Sequence, residues 1–560
     1  FTTAREFILG QNNNSFEVTL GRTLTLTTPF TLGGNANRAL GKSNAGVLEL
    51  AADNTGWTGA ITVQTGALRL LHSNAAGSGA ITASPNDWRG TGVQLANNVT
   101  ITNALSLQGG NNVFYGGIDF SGQLSSFSGD NTYAGPITFA FDASLGARAG
   151  ATLRVTGGIT NTTTSRVIGF NTDLGGTVII DGTPFAVSGS TQLYSVRKHG
   201  LGTLSIRNAN NIPVNSGQWF HLKGGLTTFE EAGTWSSRIY VDKGSSLWLD
   251  DRSITVSGVG HSTANGRLGT ASTNAKEIGF RGGELVVRGS TSVNDSLIEN
   301  LGKPTFGRGA TTITLEKNLA GEMTVVFFGK PDDIAPRQDT TTSGLDTRGA
   351  SVLFRGENFG VSNDPGNSNV IFAGGSTLDG TTGANGSASK GIFPWALADI
   401  TVNGLGTDFA TVSQTGGGGN AGSADRIVRP LQPSEYSATV SANNNIKLDN
   451  VGTRGVTASV IPNSLTFAGS SSLLLGDGVR LTLVSGGILV RDGGTTSISG
   501  GVLNQTSDRS PLNIWTVGSA VLTIDTSING GRGTANARMS MIKAGAGTLV
   551  LDPRPRRSRA

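Results

Sequence analysis

Cysteine is absent from all 560 residues, which excludes a disulfide scaffold and any thiolate metal site. Complete absence over so long a chain fits an exported protein that crosses an envelope without forming stray disulfides. Charge is also scarce. Only 14% of residues are Asp, Glu, Lys or Arg, against about 25% in ordinary soluble domains. The formal net charge is +4, and Arg554, Arg556, Arg557 and Arg559 in the last eight residues account for it, so the remaining body is neutral. No basic stripe with interleaved aromatics is visible, which argues against a nucleic-acid partner. No run of 18 apolar residues occurs, so no transmembrane helix is expected. Apolar residues at i, i+3, i+4 and i+7 never persist beyond about two turns, which leaves little room for helix.

Glycine fills much of the space: 84 copies, about twice the usual share of roughly 7%, with no Gly-X-Y period and hence no collagen. Between the glycines stand Thr, Ser, Asn, Val, Leu and Ile, the vocabulary of strands and turns. A short phrase returns along the chain, a glycine followed by alternating apolar residues. It reads Gly46-Val47-Leu48-Glu49-Leu50, Gly66-Ala67-Leu68-Arg69-Leu70, Gly202-Thr203-Leu204-Ser205-Ile206 and Gly547-Thr548-Leu549-Val550-Leu551. Looser copies start at Gly244, Gly283, Gly349, Gly487 and Gly501. Each copy predicts one short strand launched from a tight turn in which glycine supplies φ > 0. Strands repeating at such spacing predict a chain built by stacking. The fold class expected is all-β, a β-solenoid of about 25 coils at roughly 22 residues each.

The chain divides by texture into residues 1–350, repeat-rich solenoid; 351–460, an irregular solenoid segment with long loops; 461–552, regular repeats; and 553–560, a basic tail expected to be disordered or to attract an anionic polymer or lipid. Residues 361–391 and the four glycines at 416–419 read as loops projecting from the stack. Ile392-Phe393-Pro394-Trp395-Ala396-Leu397 between them is expected to cover an apolar surface as a short helix. Asparagines at 12–14, 97–98, 111–112, 210–211 and 443–445 fit either stacked amide ladders or left-handed turns.

Chemistry is harder to find. Asp250-Asp251-Arg252 and Asp332-Asp333 are the acidic candidates, but adjacent carboxylates in a strand face opposite ways and form no dyad. His72, His199, His221 and His261 lack ligand spacing, so no metal site is expected. Gly476-Asp477-Gly478 and Arg491-Asp492-Gly493-Gly494 read as single turns, without the tandem nonapeptides of calcium-binding β-rolls. No nucleophile elbow or phosphate loop occurs. No catalytic residue and no cofactor is therefore expected. Trp57, Trp219, Trp235 and Trp248 lie in or near strand phrases; buried they pack the interior, and exposed they would grip sugars.

Lys543-Ala544-Gly545-Ala546-Gly547-Thr548-Leu549-Val550-Leu551 resembles the opening of the autotransporter-associated β-strand repeat, also called the passenger-associated transport repeat. Asn54-Thr55-Gly56-Trp57-Thr58-Gly59-Ala60-Ile61-Thr62-Val63 and Asn131-Thr132-Tyr133-Ala134-Gly135-Pro136-Ile137-Thr138-Phe139 resemble its continuation. The stretches 348–356, 394–396, 408–411 and 464–503 resemble the body of large bacterial secreted proteins that carry this repeat. The likeness implies a right-handed parallel β-helix, export across a bacterial envelope, and an extracellular or cell-surface location. The final repeat departs from the pattern at Asp552, where Asn-Thr-Tyr would follow, and gives way to Pro553 and the arginines. With no membrane barrel in the sequence, the chain is expected not to be a complete autotransporter. It opens at Phe1 without a basic-then-apolar leader, as a processed secreted chain or a fragment would.

The function expected is structural: a self-associating subunit of a bacterial surface fibre, sheath or matrix, polymerising through its solenoid ends, with Phe1 to Leu9 and the broken last repeat taking part. The alternatives are an adhesin that binds a glycan through loops near 361–391 and 411–425, and a polysaccharide lyase or hydrolase.

Overall fold

The protein was analysed as a computed structural model that describes residues 1–10, 14–84, 91–108, 122–162, 166–183, 185–187, 195–210, 219–235, 238–252, 267–268, 278–289, 297–301, 304–317, 323–327, 349–362, 366–372, 378–381, 383–414, 426–449, 452–505, 511–529 and 541–552. It divides into two compact units, Phe1–Ile254 with Gly258–Lys276, and Thr255–Ser257 with Glu277–Ala560. The described chain is nearly all β, arranged in large parallel sheets. A single 3-10 turn, Pro433–Glu435, is the helical element among the described residues.

In the first unit the chain serves three parallel sheets in rotation. Ala143–Ala147 lies in the first, Thr152–Val155 in the third and Ile159–Asn161 in the second, and Val167–Thr172 returns to the first beside Ala143–Ala147. Each strand therefore pairs with the strand one circuit later, and the register places like on like. One inward row runs Leu24, Leu48, Leu68, Val93, Leu124, Leu145, Phe170. Parallel pairing of this kind turns one face of a strand inward, and the alternating burial of Ile61–Val63, Ile81–Ala83 and Leu105–Leu107 follows from it. Trp57 and Trp235 are buried, and Trp219 stacks on Tyr240 at 3.6 Å, so these three pack; Trp248 is half-buried.

The phrase glycines are needed for two different reasons. Gly66 has φ +76°, the left-handed turn conformation expected from the sequence. Gly46 and Gly202 are there for space: a Cβ would stand 2.3 Å from the Thr19 carbonyl at Gly46 and 2.2 Å from the Asp173 carbonyl at Gly202. At those two copies the left-handed residue comes two positions earlier, Asn44 at φ 61° and Gly200 at φ 81°. Asn97, Asn98 and Asn443 are left-handed as well. At these three positions the turn explains the asparagine.

The second unit departs from uniform stacking. Glu284–Arg288, Gly309–Glu316, Ala350–Gly356 and Phe393–Asp399 run parallel. The chain then doubles back. Asp408–Gln414 pairs antiparallel with Phe393–Asp399, Arg426–Pro430 antiparallel with Asp408–Gln414, and Ser368–Phe372 antiparallel with Arg426–Pro430. The apolar run at 392–397, expected as a short helix, is thus mostly strand, and every residue of Phe393–Asp399 is buried. The stretch 361–391, expected as a projecting loop, contains the wholly buried strand Ser368–Phe372, and 411–414 belongs to a strand. The glycine run at 416–419 lies outside the described residues. Asp399 explains the reversal. Its carboxylate accepts from the Thr401 N–H (3.0 Å) and hydroxyl (2.8 Å), the Gly406 N–H (3.1 Å) and the Thr407 hydroxyl (2.8 Å). A connection so short can join antiparallel strands, whereas parallel strands need a long crossover.

From Asn445 regular parallel pairing resumes in two five-stranded sheets. One holds Asn445–Leu448, Ser464–Phe467, Gly487–Val490, Leu512–Thr516 and Met541–Ala544; the other holds Gly452–Val456, Ser471–Leu483, Thr495–Gln505, Val521–Asn529 and Thr548–Leu551. Ile446, Leu465, Ile488 and Ile514 form one continuous row of the core between them.

Candidate functional site

Asp250 ends the strand Ser245–Asp250, and the backbone alternation that sends its side chain one way sends that of Asp251 the other. Arg252 grips Asp250 with Nε at 3.0 Å and Nη2 at 2.6 Å. Asp251 turns inward to the fully buried Arg267, whose Nε donates to it at 2.9 Å and whose Nη1 donates to the Gly233 carbonyl at 2.8 Å. The two neighbouring carboxylates are each committed to a separate arginine and do not share a proton. Asp332, Asp333 and His261 lie outside the described residues.

The remaining histidines occupy three unrelated settings. His72 accepts the Asn74 N–H at Nδ1 (3.2 Å), in a turn. His221 stacks on Tyr240 with ring centroids 5.3 Å apart. Burial, reinforced by the cations Lys223, Arg197 and Lys198, pushes His199 down to about 4. Among the described residues no group of three or more His, Asp or Glu side chains is placed to hold a metal ion. Gly476-Asp477-Gly478 is not a turn but part of the long strand Ser471–Leu483, where the register shifts between Leu475 and Arg480, a β-bulge. Arg491 to Gly494 is the expected turn, closed by the Gly494 N–H on the Arg491 carbonyl (3.2 Å). Asp492 there accepts the Ser519 N–H at 2.8 Å, and this bond holds its carboxyl below the usual range.

Two buried polar clusters in the second unit escaped the sequence reading. In one, the Tyr436 hydroxyl donates to Asp408 Oδ1 at 2.6 Å and Arg491 Nη2 donates to the same oxygen. Burial pushes both the Asp408 carboxyl and the Tyr436 hydroxyl upward. In the other, both terminal nitrogens of Arg429 reach Glu435 at 2.7 Å, and Glu435 also accepts the N–H groups of Gln432 and Gly386, each at 2.9 Å. Burial works against the Glu435 charge, but Arg429 and those two N–H groups hold its carboxyl below the usual range. The signal for this cluster was legible: Gln432-Pro433-Ser434-Glu435 has proline and an acid where a helical turn begins. Glu435 accepts two donors on each carboxylate oxygen and Asp408 accepts two on Oδ1, all from their own unit, which is the arrangement of a fastening. No family model matches the chain, and no curated protein or solved structure matches it either.

Proposed function

We propose that this chain is an extracellular structural protein of the autotransporter-associated repeat kind, folded as a right-handed parallel β-helix of about 25 coils, and a self-associating subunit of a bacterial surface fibre, sheath or matrix. The observation that carries the reading is the rotation of the chain through parallel sheets with continuous inward rows, such as Leu48, Leu68, Val93, Leu124, Leu145. That construction satisfies backbone groups layer by layer and turns length into stiffness. The commitment of Asp250, Asp251, Asp408 and Glu435 to arginines supports a mechanical role over a catalytic one. Low charge with abundant Thr, Ser and Asn suits flanks that pack beside one another.

Negative-stain electron microscopy of the purified chain across a concentration series tests this, with sedimentation velocity alongside. The expected result is ordered filaments or sheets whose fraction grows with concentration. Single particles at every concentration, with one sedimentation coefficient, would overturn the proposal and direct attention to glycan binding.

A further inference from the structure

Three lysines stand where packing calls for apolar side chains. Lys198 interrupts the inward row between Phe170 and Leu222, after which Val241 continues it. Lys42 sits in another inward row between Phe16 and Val63. Lys543 follows Ile488 and Ile514. All three begin the same phrase, Lys-x-(Asn/Gly)-x-Gly: Lys42-Ser43-Asn44-Ala45-Gly46, Lys198-His199-Gly200-Leu201-Gly202 and Lys543-Ala544-Gly545-Ala546-Gly547. In each, the residue two positions on is left-handed, with φ of 61°, 81° and 79°. That step curls the turn so that its carbonyls face back onto the ammonium.

The cages are built alike. Lys198 Nζ donates to the carbonyls of Gly200, Gly202 and Gly224, each at 2.7 Å. Lys42 Nζ donates to those of Ser43 (2.8 Å), Asn44 (2.6 Å) and Thr65 (2.9 Å). Both lysines are fully buried. Three donors meet three acceptors, which is all that an ammonium can offer. Two of the carbonyls come from the lysine's own turn, and the third comes from the following layer. The position of that third carbonyl is the same in both: two residues past the strand partner of the lysine, Gly224 after Leu222 and Thr65 after Val63. Lys543 lies in an outermost strand, is exposed, and donates to the Gly545 carbonyl in its own turn.

We propose that the phrase is a register key: its buried ammonium recognises the carbonyl of one residue in the following layer and so fixes which residue of that strand sits over it. Apolar rows cannot do this alone. A one-residue slip is forbidden because it turns the inward face outward, but a two-residue slip keeps the alternation and leaves a row of Leu and Val nearly as content as before. At about 3.3 Å per residue, that slip carries the third carbonyl more than 6 Å from the ammonium, far beyond hydrogen-bond reach. A buried cation short of an acceptor then penalises the wrong register, as a single buried polar residue does in a coiled coil.

The absence of cysteine makes the test clean. Thr203 and Leu226 are half-buried register partners, and Thr228, which is buried, lies two residues beyond Leu226 on the same strand face. The full chain is made with Thr203→Cys/Leu226→Cys or with Thr203→Cys/Thr228→Cys, each with Lys198 retained or changed to Met, and disulfide closure under a mild oxidant is timed at about pH 6, where Lys198, lowered by burial to about 7, keeps its proton. With Lys198 present, the in-register pair should close at least tenfold faster than the offset pair. Lys198→Met should shrink that ratio severalfold in a chain that keeps its β circular dichroism. An unchanged ratio in a folded Lys198→Met chain would overturn the proposal. A limited amine-labelling experiment on the unaltered chain, read by mass spectrometry, keeps the matter decidable if Lys198→Met does not fold. Lys42 and Lys198 should label at least tenfold more slowly than Lys543, and equal labelling would overturn the cages on which the proposal stands.

Discussion

Removing the Asp251 carboxylate should be among the most damaging single changes in the first unit, and removing Arg267 with it should undo most of the damage. Both side chains are fully buried, and Arg267 donates to Asp251 and to the Gly233 carbonyl. Asp251→Ala takes the Asp251 countercharge away from a guanidinium in the core, which costs about 3–5 kcal/mol. A unit whose whole stability is on the order of 5–15 kcal/mol loses a large share of it. The double variant Asp251→Leu/Arg267→Met removes both charges and supplies apolar bulk. Its remaining cost is the bare Gly233 carbonyl, about 1–3 kcal/mol, partly offset by the desolvation no longer incurred. The expected order of urea midpoints, followed by far-ultraviolet circular dichroism, is parent, then double variant, then Asp251→Ala well below both. Two units need not unfold together, so the transition assigned to the first unit should be identified by hydrogen exchange in Gly225–Glu230 and Ser245–Asp250. A cost below about 1 kcal/mol for Asp251→Ala, or no recovery in the double variant, would refute the argument that this is a closed buried pair.

Stability should also rise with pH on the alkaline side. Burial pulls Lys198 down to about 7 and Lys42 to about 8 from the usual 10.5. Between those values and 10.5 the unfolded chain holds protons that the folded chain has shed, so the unfolding free energy climbs with pH, by on the order of a few kcal/mol. Lys198→Met should flatten that climb in urea melts at pH 7, 8.5 and 10, and a decline over this window would contradict the assignment. His199, lowered to about 4, acts with the same sign in acid: stability should fall as pH drops from about 6.5 towards 4, and His199→Gln should remove that part of the fall. Gly202→Ala forces a Cβ against the Asp173 and Gly176 carbonyls and should cost about 1–3 kcal/mol, whereas Gly244→Ala, with φ +82° and open space around it, should cost only the left-handed strain of about 1 kcal/mol. Equal urea midpoints for the two variants would show that steric closeness is not what Gly202 provides.

The stacking was legible because two independent signals coincide in each phrase: a glycine that lets the chain turn tightly, and strict alternation that gives the following strand one inward face. Leu48, Leu50, Leu68 and Leu70 were readable as interior for that reason, and all four are buried. The reversal after Phe393–Asp399 was not legible, since a short apolar run such as Ile392 to Leu397 fits a buried helix segment as well as a strand, and its periodicity cannot arbitrate. Composition misled at Ser368–Phe372 for a related reason. The Gly, Asn and Ser around that strand suggested a loop, whereas Val370, Ile371 and Phe372 were enough to bury it. The polar interior was the least readable part. In an alternating pattern, a lysine at an inward position reads as a break in the row, because the carbonyls that would satisfy it belong to a turn and to a layer more than 20 residues further on. Yet Lys42 and Lys198 each precede a left-handed residue by two positions and a space-limited glycine by four, and that spacing is a local signal. It follows that in a stacked β chain apolar rows define which face is inside, while rare polar residues beside left-handed turns define which layer lies over which. A search for lysine ahead of an Asn or Gly turn should find register points that hydrophobic patterning alone cannot locate.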